Sequence, residues 1–274
     1  MTLNSDQNAP SIVLIHGLWV TPLSWEHWIK FYEAQGFTVS APAWPGHDGE
    51  VEDLRKDPAG MADIGFEQVV DHYDAIVRRM ERPPILIGHS FGGAVVQVLL
   101  DRGLGAAGVV VDSAAVKGVK PLPLSTLRST WPVLRNPANK VKAIGLTAKQ
   151  FHYAFANTFT AEESQAAYDR YHVPGPARVL FDGAFANFSS KSPTRVDFSN
   201  GRRAPLLFIA GGADHIVPPK VNQANFRLYG KSTAITDYEE FAGRSHLTIG
   251  QAGWENVADF ALNWALERSV PAAV

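Results

Sequence analysis

Gly88-His89-Ser90-Phe91-Gly92 is the segment that most strongly indicates the fold of this chain, and Gly93 follows it. Its G-x-S-x-G pattern places a serine on a sharp, strained turn between a strand and a helix. The residues two before and two after the serine must be small, because larger side chains would collide in that turn. The apolar run 85–87 predicts the strand, and residues 91–102 predict the helix. This context indicates a nucleophilic serine rather than an ordinary glycine-rich turn.

Short apolar runs alternate with helical periods on both sides of this turn. Six strands are predicted, at residues 11–15, 37–41, 85–87, 108–112, 205–210 and 233–238. The helical periods fall at residues 22–35, 66–82, 91–102, 218–229 and 253–268. The alternation predicts an α/β fold, in which a mostly parallel sheet of about six strands has helices on both faces. Residues 42–65 are predicted to form a long polar loop.

The alternation stops between residues 113 and 204. This stretch holds several helical periods and no recognisable strand, which is typical of an inserted helical cap rather than a sequential domain. We therefore predict a core made of residues 1–114 and 205–274, with residues 115–204 as the cap.

A serine hydroxyl is a weak nucleophile at neutral pH and needs an adjacent base. Of the nine histidines, His246 is the best candidate, because it lies in a loop between the last strand and the closing helix. The imidazole in turn needs a carboxylate to set its tautomer. Asp214 and Asp112 each follow a buried strand and are the two candidates. The chain order serine, aspartate, histidine favours Asp214.

A second set of groups would hold the negative charge that develops on a substrate oxygen. His16-Gly17-Leu18 follows the first strand, where a turn can direct the Leu18 amide at the substrate. The Phe91 amide, at a helix N-terminus, is the predicted second donor. His16 itself is expected to be structural.

These motifs together resemble the α/β-hydrolase superfamily, and in particular serine esterases and lipases that carry a helical cap. The resemblance rests on His16-Gly17, the stretch 88–92, Asp214 and His246, which occur in the expected order. It implies acyl transfer through an acyl-enzyme, without a cofactor or metal. In dehalogenases and epoxide hydrolases of this fold, aspartate occupies the turn that carries Ser90 here, which is called the nucleophile elbow. Ser90 therefore argues against both classes.

The substrate class follows from apolar residues near the expected site. We predict substrate contacts from Trp19, Phe155, Phe159, Ile216, Val217 and Leu247. These residues favour a small to medium carboxylic ester with an apolar or aromatic portion. The same catalytic residues would also suit a carbon–carbon hydrolase, thioesterase, lactonase, amidase or perhydrolase, or a ligand receptor with slow turnover.

Composition limits the remaining classes. The chain has 274 residues and a formal net charge of −2. It contains no cysteine, which excludes a disulfide framework and a cysteine nucleophile. Without an evident basic patch, no nucleic-acid or membrane partner is expected. Residues 1–10 lack Lys and Arg, and the apolar run 12–15 is too short for a signal sequence. We expect a cytoplasmic monomer or small homo-oligomer.

Overall fold

The computed structural model describes residues 10–269, so the expectations about the preceding residues lie outside the described part. Within that part the chain forms eight strands: β1 (Ile12–Ile15), β2 (Val39–Ser40), β3 (Ile85–His89), β4 (Ala107–Val111), β5 (Ala143–Ile144), β6 (Gly175–Pro176), β7 (Leu206–Gly211) and β8 (Thr236–Phe241). Six of them form one parallel sheet in the order β2-β1-β3-β4-β7-β8. The predicted fold class is therefore confirmed.

The described part also contains five short 3-10 helices and ten α-helices: α1 (Glu26–Glu33), α2 (Val51–Lys56), α3 (Phe66–Arg78), α4 (Phe91–Asp101), α5 (Leu124–Leu134), α6 (Ala148–Ala154), α7 (Ala161–Tyr171), α8 (Ala177–Ala184), α9 (Pro219–Leu228) and α10 (Trp254–Arg268). Helix α4 packs on β3 and β4, and α3 packs on α4. Helices α1 and α10 pack together, and the Tyr32 hydroxyl donates a hydrogen bond to the Ala258 carbonyl (2.8 Å). No helix within residues 10–269 is long and apolar enough to cross a membrane.

The centre of the sheet is buried on both faces. Every residue of β1, β3, β4 and β7 is buried, as expected for parallel strands covered by helices. The edge strands differ, because β2 has only two residues and β8 is half-exposed. All six strands run in the same direction, so the loops after β1, β3, β4, β7 and β8 meet at one edge of the sheet.

Three sequence predictions about elements were wrong in detail. Strand β8 begins three residues later than expected and β2 is shorter, because edge strands are polar and their apolar pattern is weak. The segment 42–65 is not only a loop, since it contains α2. That helix forms because Val51 and Leu54 bury their side chains in a small cluster with Met61 and Val173. Val173 lies more than a hundred residues away, so the local sequence could not reveal this contact.

The segment between β4 and β7 contains α5 to α8 and also a short antiparallel pair, β5–β6. The expectation of no strand there was wrong, because two-residue strands have no recognisable pattern. Many hydrogen bonds join this segment to the rest of the chain, and three of them lie close to the loops that follow β1 and β8. The Val173 amide donates to the Trp19 carbonyl (2.9 Å), the Leu247 amide donates to the Phe155 carbonyl (2.9 Å), and the Trp19 indole donates to the Ile144 carbonyl (2.9 Å). The segment between β4 and β7 therefore lies over the sheet edge at which the loops meet.

Candidate active site

Ser90 lies on the turn between β3 and α4 with φ 55° and ψ −121°. A positive φ is unfavourable for a residue with a side chain and costs on the order of 1–3 kcal/mol. The surrounding glycines make the turn possible. A Cβ on Gly88 would lie 2.3 Å from the Gly92 carbonyl oxygen, and a Cβ on Gly92 would lie 2.1 Å from the Ile15 carbonyl oxygen. Both distances are too short, so the turn requires glycine at these two positions.

A continuous chain of hydrogen bonds links three buried side chains. His246 Nε2 lies 3.0 Å from Ser90 Oγ, and His246 Nδ1 lies 2.6 Å from Asp214 Oδ2. All three residues are at most 4% exposed. The geometry is consistent with an Nδ1–H that donates to the carboxylate and an Nε2 lone pair that accepts from the serine hydroxyl. The structure thus brings together the three residues that the sequence selected.

Backbone amides hold Asp214 in this orientation. Its Oδ1 accepts hydrogen bonds from the amides of Ile216 (2.7 Å) and Val217 (2.9 Å). The sequence suggested these two residues only as apolar contacts for a substrate. Their backbone has a separate part in positioning the carboxylate, which required the folded loop to be seen.

Asp112, the rival carboxylate, has a different set of partners. It is fully buried, and its Oδ1 accepts a hydrogen bond from the Gly211 amide (2.5 Å), at the end of β7. Its Oδ2 has no hydrogen-bond partner among the described residues, and no bond joins Asp112 to His246. Burial and then the nearby charge of Asp214 raise the pKa of Asp112 well above its ordinary value. The geometry therefore favours Asp214 as the partner of His246.

Burial also sets the protonation of the hydrogen-bonded residues. It lowers the pKa of His246 to about 3, because the buried imidazolium would be poorly solvated. Burial raises the pKa of Asp214, but the amides of Val217 and Ile216 oppose that increase, and together with His246 Nδ1–H they hold the group as a carboxylate. Neutral His246 is thus the favoured form, and a neutral imidazole is the form that accepts a proton.

The loop after β1 passes directly against Ser90. A Cβ on Gly17 would lie 2.8 Å from Ser90 Cβ, so glycine allows the close approach of Leu18 and its amide. Within residues 10–269, neither the Leu18 amide nor the Phe91 amide donates a hydrogen bond to another protein group. Two free amides beside a buried serine suit an incoming oxygen. His16 accepts a hydrogen bond at Nε2 from the Trp44 amide (3.1 Å), which suits a structural residue.

An aromatic ring from the segment between β4 and β7 lies against His246. The Phe155 ring centre lies 5.0 Å from that of His246 and 6.1 Å from that of Trp19. Leu247 is buried beside them and binds the Phe155 carbonyl through its amide. Phe159 is partly buried and packs against the same hydrophobic core, but within residues 10–269 no ring contact joins it to His246 or Trp19.

Two supporting residues escaped the sequence analysis. His89 Nε2 lies 2.7 Å from the His246 carbonyl oxygen, and Gln251 Oε1 accepts hydrogen bonds from the Ser245 amide (2.8 Å) and hydroxyl (3.1 Å). Both contacts hold the loop that carries His246. His89 was recognisable as part of the elbow motif, whereas nothing in the sequence marks Gln251.

One group of side chains in the described part has the donor types of a metal site. Ligand atoms of His89, Asp112 and His246 lie within 4.8 Å of one another. Both ring nitrogens of His246 are already engaged by Ser90 and Asp214, and His89 Nε2 is engaged by a backbone carbonyl. An ion here would have to displace these bonds, so we assign this group to the hydrogen-bond network.

The family comparison agrees with the fold. Residues 12–260 match the model of the alpha/beta hydrolase family. The chain therefore belongs to the α/β-hydrolase family. No curated protein sequence matches it.

Solved structures of the same fold cover nearly the whole chain. An extracellular α/β-hydrolase from a Paenibacillus species is 21% identical, with a TM-score of 0.68 over 93% of this chain and 98% of that one. A monoacylglycerol lipase from Paleococcus ferrophilus is also 21% identical, with a TM-score of 0.65 over 96% and 97%. A pyrethroid hydrolase from Sphingobium faniae is 18% identical, with a TM-score of 0.64 over 93% and 97%. At these identities the likeness concerns the fold.

Proposed function

We propose that this protein is a serine hydrolase that cleaves carboxylic esters through an acyl-enzyme on Ser90. The observation that carries the proposal is the hydrogen-bond chain from Ser90 Oγ through His246 to Asp214, with distances of 3.0 Å and 2.6 Å. The strained conformation of Ser90 supports it, because such strain is common where a side chain is held ready for reaction.

The reaction begins when His246 Nε2 takes the proton of Ser90 as Oγ attacks the ester carbonyl carbon. The negative charge moves to the carbonyl oxygen, and the amides of Leu18 and Phe91 donate hydrogen bonds to it. Each such donor typically stabilises the transition state by about 3 kcal/mol. His246 then gives its proton to the departing alcohol. Water repeats both steps on the acyl-enzyme and releases the acid.

The proposed substrate is a small to medium ester with an apolar or aromatic portion. Buried apolar side chains support this choice, because Phe155 lies against the His246 ring, and Trp19 and Leu247 contact Phe155. Relatives of the same fold include a monoacylglycerol lipase and a pyrethroid hydrolase. We further propose that the protein acts in the cytoplasm, although one relative is extracellular.

Labelling with a fluorophosphonate tests the nucleophile. We expect the wild-type protein to be labelled and Ser90→Ala to be unlabelled, because the reagent bonds only to an activated serine. Ser113→Ala is the matched control, since Ser113 is equally buried near the turn and should not affect labelling.

A panel of nitrophenyl esters, thioesters and diketones then tests the bond that is cleaved. We expect turnover of apolar nitrophenyl esters to exceed turnover of the other two classes. Labelling that persists in Ser90→Ala, or a preference for charged or sugar-bearing esters, would contradict the proposal.

A further inference from the structure

Charge is distributed unevenly between the two parts of the chain. Residues 115–204 contain 13 Lys and Arg but only 5 Asp and Glu, a formal charge of +8. The rest of the chain contains 12 Lys and Arg against 22 Asp and Glu, a formal charge of −10. The net charge of −2 therefore hides two regions of opposite sign. Residues 113–161 are the extreme case, with seven basic residues and no acidic one.

Helix α5, which lies in this basic segment, exposes apolar side chains along one face. Leu124, Leu127 and Trp131 are 83%, 38% and 61% exposed, and their spacing of three and four residues places them on the same face. Ser129 and Val133 on the other side are buried. An amphipathic helix of a globular protein normally turns its apolar face inward, so the exposed face of α5 requires another explanation.

Further exposed apolar side chains lie beside the start of α5. Leu122 is 65% exposed, and Phe185 and Phe188 are 52% and 86% exposed. Asn187 ties the two segments together, because its side chain accepts a hydrogen bond from the Gly118 amide (2.7 Å) and donates one to the Val119 carbonyl (2.8 Å). We use the term cap face for the six residues Leu122, Leu124, Leu127, Trp131, Phe185 and Phe188.

Basic side chains accompany the cap face. Arg128 and Arg135 are exposed on α5 and at its end, on the same side as Leu124 and Trp131. Lys120, Lys140 and Lys142 are exposed in the flanking segments. In residues 10–269, none of the seven basic residues of 113–161 lies within 4.0 Å of a carboxylate. Their charge is thus not neutralised within the described part of the protein.

We propose that the cap face docks on the surface of an anionic phospholipid bilayer. The apolar side chains would enter the headgroup region, while the surrounding Lys and Arg contact anionic headgroups. No membrane partner was expected because no basic patch was evident, since the net charge of the whole chain averages the basic residues 115–204 with the acidic remainder. The proposal concerns a surface and does not depend on the chemistry of Ser90.

Charge also distinguishes a bilayer from a second copy of the chain. A symmetric dimer through this face would bring the same patch of each copy together. Basic residues would then face basic residues, which is unfavourable at an interface. An anionic surface complements the same charges, so a lipid surface fits the cap face better than a second copy does.

Vesicle flotation tests the proposal with the full chain. We expect binding to phosphatidylcholine vesicles that contain about 30% phosphatidylglycerol, and little binding to phosphatidylcholine alone. Raised salt should weaken the binding. Ser90→Ala should bind as well as the wild type, so a failure of the proposed catalytic function would not affect this result.

Two sets of variants separate the charges from the apolar residues. Replacing Arg135, Lys140 and Lys142 by Gln should weaken binding about 100-fold, since each charge near the surface contributes about fivefold. The matched control replaces Lys220, Arg227 and Lys231 of the core, which are also exposed, and should change binding less than about threefold. The double variant Leu124→Ser/Trp131→Ser should abolish flotation, because it removes two exposed apolar side chains of the cap face. Leu266→Ser, on α10 and outside the cap face, should leave flotation unchanged.

Trp131 provides a direct spectroscopic signal, because it is the most exposed tryptophan in the described part. Its fluorescence should shift to the blue on anionic vesicles, and Trp131→Phe should remove that shift. Equal binding to both vesicle types, or no binding to either, would overturn the proposal. A concentration-dependent dimer in light scattering that Trp131→Ser abolishes would also overturn it, in favour of a second copy.

Discussion

Asp112 and Asp214 illustrate how position within a few ångströms decides the role of a residue. Both are buried carboxylates that follow neighbouring strands of the sheet. Asp214 reaches the ring of His246, while Asp112 turns to the Gly211 amide. The two groups are chemically identical, so only the direction of the side chain separates them.

This difference predicts unequal effects of two matched substitutions. Asp214→Asn should lower kcat about 10³–10⁴-fold, because an amide cannot stabilise the imidazolium or select the correct tautomer. Asp112→Asn should lower kcat less than about tenfold, since Asp112 makes no hydrogen bond to His246. Steady-state kinetics on a nitrophenyl ester measures both, with thermal melting as the control for folding. A larger loss in Asp112→Asn would assign the acid to Asp112.

At the level of elements, the turn between β3 and α4 depends on close backbone packing. Gly92 lies against the end of β1, so the helix starts immediately beside the loop that carries Gly17 and Leu18. This packing brings the Leu18 and Phe91 amides to the same serine. The elbow therefore needs three elements to meet with no side chain between them.

Gly92→Ala should consequently destabilise the protein. Its Cβ would lie 2.1 Å and 2.6 Å from the carbonyl oxygens of Ile15 and His16, and backbone atoms cannot move aside easily. We expect a loss of about 3 kcal/mol in the free energy of unfolding, at the upper end for overpacking. Urea denaturation measures this loss. Gly230→Ala is the control, because nothing lies within 4 Å of its Cβ. If both variants are equally stable, the packing argument is wrong.

At the level of the whole molecule, the segment between β4 and β7 and the loops of the sheet together bury the site. His246 is fully buried against the Phe155 ring, which belongs to the segment between β4 and β7, although His246 itself lies in the loop after β8. The low pKa of His246 follows from this enclosure rather than from its neighbours in the sequence.

The enclosure predicts an unusual pH dependence. An ordinary histidine titrates near 6.5, and activity that depends on its neutral form would fall below that pH. Burial lowers the pKa of His246 to about 3, so the neutral base persists as the pH falls. We expect the midpoint of the acidic limb of kcat/KM to lie about one unit or more below 6.5. Rates with an uncharged ester should be measured alongside circular dichroism, to exclude acid unfolding. A midpoint at or above 6.5 would show that the site is open to water.

Much of the fold was predictable from local pattern. The segments that become β1, β3, β4 and β7 are mostly apolar and could be recognised as buried strands. The G-x-S-x-G pattern predicts glycine on both sides of Ser90, because larger side chains would collide in the turn. The candidate nucleophile, base and acid could be selected because each follows a recognisable strand. The division of the chain into core and cap remains a prediction.

The remaining features depend on contacts between distant parts of the chain. The formation of α2 against Val173, the choice of Asp214 over Asp112, and the support of the His246 loop by Gln251 all require folded loops. The sequence does contain every charge of the cap, but the exposure of Trp131 and its neighbours appears only after packing. Local pattern determines which segments form buried strands, because burial has a short-range periodic signature. The direction of a side chain at a loop has no such signature, and tertiary packing alone determines it.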